Sequence, residues 1–164
     1  MGQILGDIKL AAHKRIYPLF HGYLLRFDGS FLRGFSLIDT VRRELAAGRK
    51  ETHWIWYIFP QLASLGYSPM ARKYGIASPA EARRYWEHAV LGPRLRECSQ
   101  ILLALPGHNI SSILGNPDGL KFRSCLTLFA AIAPEEPIFE AALEKFFDGE
   151  RDPLTIGLLH QMAQ

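Results

Sequence analysis

Thr52-His53-Trp54-Ile55-Trp56-Tyr57-Ile58-Phe59-Pro60-Gln61 is the stretch whose conformation decides the fold. Trp54, Trp56, Tyr57 and Phe59 fall within six positions, opened by a histidine and closed by Pro-Gln. As a strand, His53, Ile55, Tyr57 and Phe59 would share one face, with Trp54, Trp56 and Ile58 on the other. Both faces would be apolar, so the stretch is a buried strand or a buried helix. Propensity favours strand. The rest of the chain favours helix, because a strand with no partners leaves its backbone groups unpaired. Pro60 ends the element in either case.

The flanking segments read as helices. After Leu37, Ile38, Val41 and Leu45 recur at helical spacing, with Ser36 and Asp39 placed as a cap and Gly48 as a stop. Arg49 and Lys50 follow, where cations complement a helix C-terminus. Ser64 to Ser78 reads as a loop, broken by Gly66, Ser68-Pro69 and Gly75. Ser78-Pro79-Ala80-Glu81 is a capping box with proline at the first helical position, predicting a helix to about His88. Further helices are predicted over Pro93 to Leu105, over Leu120 to Ala133, and over Pro137 to Phe147. The last starts at Asp152-Pro153 and runs to about Met162. Asn109 caps a short turn through Leu114, and Gly115 to Gly119 is a loop. Asp28-Gly29 between apolar runs is a hairpin signal. The expectation is an all-α, single compact domain of about seven or eight helices spanning 1–164, with a short hairpin near Asp28-Gly29.

Composition bounds the function classes. A chain of 164 residues with 48% hydrophobic and 21% charged residues has the balance of a globular domain. It is long enough to bury roughly 70% of its unfolded surface. No apolar run approaches the ~20 residues of a membrane-spanning helix. The start lacks the pattern of a signal peptide, and position 6 is glycine where myristoylation needs Ser or Thr. Cys98 and Cys125 read as buried free thiols, and the expected location is cytoplasmic. The net charge of +3 is mild, and the basic pairs Arg42-Arg43, Arg49-Lys50, Arg72-Lys73 and Arg83-Arg84 are scattered. There is no phosphate loop, Gly-x-Gly-x-x-Gly, His-Glu-x-x-His or Cys-x-x-Cys, and the six histidines lack ligand spacing. No metal or cofactor is expected.

From Glu44 onward the chain resembles a bacterial family known as domain of unknown function 1810, sometimes labelled calpastatin-like. The residues that carry the resemblance are Gly48-Arg49-Lys50, His53-Trp54-Ile55-Trp56-Tyr57-Ile58-Phe59-Pro60-Gln61, Ser68-Pro69 and Tyr74-Gly75-Ile76. They continue with Leu91-Gly92-Pro93-Arg94-Leu95, Asp118, Lys121, Arg123-Ser124 and Thr127-Leu128-Phe129. The resemblance implies a compact helical domain and no known reaction, and it turns the strand-or-helix question toward helix. The front departs from it. Phe31-Leu32-Arg33-Gly34-Phe35 stands where the family tends to have Phe-x-x-Ala-Gln, and residues 1–30 form a divergent N-terminal extension.

Two groups of residues carry candidate chemistry. His53 beside Trp54 and Trp56 is either a proton-handling imidazole at the lip of an aromatic pocket or a helix terminus satisfied by backbone. Gln61 either reads a ligand amide or caps its own helix. Asp118, Lys121 and Ser124 recur every three residues, so one helix face carries a carboxylate, an ammonium and a hydroxyl. They form a patch for an anionic group, or else a capping Asp118, a surface Lys121 and a packed Ser124. Arg94 opposes its helix dipole and so needs an anionic partner. Tyr74 stacks on a planar ligand or pins a loop. These residues point to a small anionic aromatic ligand, such as a nucleotide derivative, between the His53–Gln61 and Asp118–Ser124 segments. His53 is the candidate catalytic group, although the residues leave open whether any reaction occurs. The alternative is a non-catalytic interaction or homo-oligomerisation module using the N-terminal aromatics Tyr17, Phe20, Tyr23 and Phe27. Weak nucleic-acid binding comes third.

Overall fold

The computed structural model describes residues 37–164. The hairpin signal at Asp28-Gly29, the Ser36 cap and the N-terminal aromatics lie outside these residues. The elements are α1 (Leu37–Ala46), α2 (Ile55–Ile58), a 3₁₀ turn (Ala63–Leu65), α3 (Pro69–Tyr74), α4 (Pro79–Glu87) and α5 (Leu91–Ala104). They continue with α6 (Ile110–Leu114), α7 (Asp118–Ile132), α8 (Pro137–Phe147) and α9 (Pro153–Met162). Among the described residues the fold is all-α, with no strand and one isolated parallel bridge between Leu62 and Ile76. The described residues hold nine helices, one of which, α3, lies in the Ser64–Ser78 segment expected to be a loop. Ser68 caps it by accepting from Ala71 N, and Pro69 opens it.

The opening stretch is a helix of one turn. Trp54, Ile55, Tyr57, Ile58 and Phe59 are all buried. Burying both sides removes the periodic signal that tells a helix from a strand. It packs against α7, where the Phe59 and Phe122 rings meet edge-on with centroids 4.6 Å apart. Helix α7 is the central element. Phe122, Cys125, Leu126, Leu128, Phe129 and Ile132 are buried around most of its circumference, as befits a helix surrounded by others. Helices α4, α6, α8 and α9 pack on it. Residues Asp39–Gln164 make one compact unit.

Local caps explain most of the boundaries. Ser78 accepts from Glu81 N at 3.2 Å, but the Glu81 carboxylate reaches back to Ala77 N, one residue earlier than in the usual box. Asn109 accepts from Ser112 N and Asp152 from Thr155 N. Helix α5 starts at Leu91, two residues before Pro93, since proline is tolerated in a first turn. Between α2 and α4, Ile76 N donates to Gln61 O at 2.8 Å and Ala63 N to Ile76 O at 2.9 Å. These bonds bring Gln61 and the 3₁₀ turn together as one wall of the site described next.

Candidate functional site

A cavity of about 480 Å³ opens between the α2–α3 region and the first turns of α7 and α9. Trp56, Gln61, Lys121, Arg123, Ser124 and Asp152 supply most of its polar lining, and Leu120 and Leu154 part of its apolar lining. Tyr67 stands on the rim at 90% exposure. The volume is in the range of small-molecule sites.

Helix α7 positions three of the polar groups, Lys121, Arg123 and Ser124. Lys121 and Ser124, three residues apart, lie one turn above the other. The Lys121 ammonium donates to Asp118 Oδ1 at 2.8 Å and sits 4.3 Å from the centre of the Trp56 ring. Asp118 Oδ2 is taken by Lys50 at 2.6 Å, and only 7% of the Lys50 side chain is exposed. Two cations therefore share one carboxylate, leaving this cluster with an excess positive charge. Burial pushes the Asp118 carboxyl up, but hydrogen bonds from Lys121 and Lys50 outweigh it and hold the group below the usual carboxylate range.

Trp56 Nε1 is buried and has no hydrogen-bond partner among the described residues. Leaving such a donor unmatched costs on the order of 1–3 kcal/mol. The Gln61 side-chain amide makes no hydrogen bond among the described residues either. On the opposite wall, Asp152 Oδ2 accepts from Ser124 Oγ at 3.0 Å, Thr155 N at 3.0 Å and Thr155 Oγ1 at 2.5 Å. Arg123 is held by Glu150 and by the Glu150 and Arg151 carbonyls.

The structure thus brings together Trp56, Gln61, Lys121 and Ser124, with Asp118 behind Lys121. It does not bring the other candidates there. Trp54 is fully buried in the core, and its indole N–H donates to Glu44 Oε2 at 2.7 Å. Tyr74 is buried edge-on against Tyr57, with centroids 4.7 Å apart. His53 is exposed ahead of α2 and does not line the cavity, because the helix begins two residues later than its position. Arg94 lies in the first turn of α5, close enough to Cys98 for its charge to act on that thiol, and is not a lining residue. Asp118 is not the cap of α7; Pro117 holds that position, and the Asp118 side chain is spent on the two lysines.

Sequence reasoning missed three groups. Lys50, read as a complement to the α1 dipole, instead reaches Asp118. Asp152, read only as a cap, also lines the cavity. Glu44 anchors the opening stretch: its carboxylate accepts from Glu51 N, Thr52 N, Thr52 Oγ1 and Trp54 Nε1. The only signal for Lys50 was its place in the Gly48-Arg49-Lys50 motif.

None of the curated proteins compared with this chain matches it. A solved structure does: a conserved hypothetical protein, Rv1873, from Mycobacterium tuberculosis. It is 46% identical, with a TM-score of 0.72 over 74% of this chain and 86% of that one. The family described as protein of unknown function (DUF1810) matches residues 30–159. With most of its length matched, and with the Trp56, Gln61, Lys121 and Ser124 positions inside the match, the chain belongs to the DUF1810 family.

Proposed function

We propose that this chain binds a small anionic molecule with a planar ring, of the nucleotide class, in the cavity between α2 and the start of α7. The observation that carries this reading is the buried, unpartnered Trp56 Nε1 beside the Lys121 ammonium. A phosphate or carboxylate oxygen would accept from the Lys121 ammonium, and from Trp56 Nε1 once the ring edge, now closed to solvent, turns toward it. Asp118 uses one of the three Lys121 protons, which leaves donors for the ligand. Tyr67, Leu120 and Leu154 give apolar surface for a ring face, and Gln61 supplies an amide for a polar ring edge. The reading is one of binding, with no reaction assigned.

Calorimetric titration with a panel of ribonucleotides tests it. Saturable binding is expected, and Lys121→Met and Trp56→Phe should each weaken it at least about tenfold. No saturable binding across the panel, or binding indifferent to both substitutions, overturns the reading. A non-catalytic interaction module is the second reading. It draws support from Tyr67, Leu120 and Leu154, which are 90%, 60% and 68% exposed along one rim. Weak nucleic-acid contact has less behind it, since Arg42 pairs with Glu97 and Arg123 with Glu150.

A further inference from the structure

Resting on that nucleotide-class reading, we infer that Asp152 takes a hydroxyl of the ligand's sugar, so that the site selects ribose over deoxyribose. The Asp152 carboxylate is used unevenly. Oδ2 carries the Ser124 hydroxyl, the Thr155 amide and the Thr155 hydroxyl. The Asp152 amide in turn donates to Thr127 Oγ1 at 2.8 Å. Thr127 and Thr155 are fully buried, so these bonds fix the carboxylate in one orientation. Oδ1 receives no hydrogen bond from any described residue, although Asp152 lines the cavity.

An ionised carboxylate only accepts, so the ligand group that meets Oδ1 must donate. An ammonium is disfavoured because Lys50 and Lys121 on the single Asp118 carboxylate already leave an excess of positive charge beside the cavity. A hydroxyl donates without adding charge. The anion-seating group, Lys121, is one helical turn from Ser124, which is itself bonded to Asp152. Lys121 and Asp152 both line the cavity, so a ligand seated on the one can present a donor to the other. One sugar joining a phosphate to a hydroxyl offers an acceptor and a donor together, and the ring attached to it would meet the apolar rim of Leu120 and Leu154.

The experiment compares ribonucleoside 5′-monophosphates with their 2′-deoxy and 3′-deoxy counterparts on the wild-type protein and on Asp152→Asn. Asparagine keeps an acceptor for Thr155 N, since it caps helices as well as aspartate does, but it places an amino group where Oδ1 stands. Loss of one of the two hydroxyls should weaken binding to the wild type about tenfold or more. Asp152→Asn should erase most of the preference for ribose over the deoxy forms, whatever the loss of its charge does to the affinity for all of them. Equal affinity for ribose and both deoxy forms in the wild type overturns this inference while the nucleotide site stands. Absence of any nucleotide binding overturns both. The wild-type comparison decides the matter even if the variant does not fold.

Discussion

Asp118 holds two lysines on one carboxylate, and the two are not equivalent. Lys50 is almost wholly enclosed, while 19% of the Lys121 side chain reaches solvent. Removing the carboxylate leaves Lys50 buried and uncompensated, which costs far more than the pair itself contributes. Asp118→Ala should therefore destabilise the fold by about 3–5 kcal/mol, read from urea denaturation. Lys121→Ala leaves the Lys50 bond intact and should cost about 1 kcal/mol or less. Equal costs for the two substitutions would contradict this ordering. Glu44 follows the same logic with neutral donors. It ties α1 to the segment entering α2 through four hydrogen bonds, and Glu44→Gln should cost about 2–3 kcal/mol as the charged acceptor is lost. A midpoint for that variant within error of the wild type would show that the network contributes nothing.

At the scale of elements, the α4–α5 junction depends on Gly92. A Cβ there would stand 1.9 Å from the Trp86 carbonyl oxygen, which is backbone and cannot rotate away. Gly92→Ala should push the two helices apart and cost about 2–3 kcal/mol. Gly157, inside α9, has no described residue within 4 Å of its would-be Cβ, so Gly157→Ala should stabilise by about 0.5–1 kcal/mol. Chemical denaturation of the two variants should give shifts of opposite sign. The ends of these elements were legible wherever a cap and a proline stand together. Helices α8 and α9 have the predicted limits because Pro137 and Asp152-Pro153 state them locally. Helix α3 was not read, although Ser68-Pro69 is the same signal as Ser78-Pro79. Only six residues follow before Gly75, too few to show a period. The site was half legible for a related reason. Trp56, Gln61, Lys121 and Ser124 were singled out by residue type and spacing. Lys50 and Asp152 earn their places through partners far away in the chain, and a local pattern carries no trace of those.

For the molecule as a whole, burial decides how the titratable groups respond. Burial pushes the Cys98 thiol up to about 12 and the Cys125 thiol well above its ordinary value. An aromatic disulfide reagent at pH 8 should label neither thiol in the folded protein and both in denaturant. Fast labelling of either under native conditions would show that the core around it opens. The carboxylates respond in the opposite direction. Burial raises Glu44, but hydrogen bonds from Glu51 N, Trp54 and Thr52 outweigh it, and Asp118 is likewise held low by its lysines. In the unfolded chain both return to about 4. Between those values the unfolded state binds more protons than the folded one, so acid favours unfolding. The stability these groups contribute is fully present above the unfolded pKa and is lost as pH falls through the depressed folded values. The melting temperature should begin to drop below about pH 5 and fall steeply under pH 4. The double variant Glu44→Gln, Asp118→Asn should melt lower at neutral pH, yet lose less on acidification, because the two groups that take up protons are gone. Melting curves from pH 7 to pH 3 read both terms at once. A double variant whose acid slope equals that of the wild type would mean that other carboxylates govern acid unfolding.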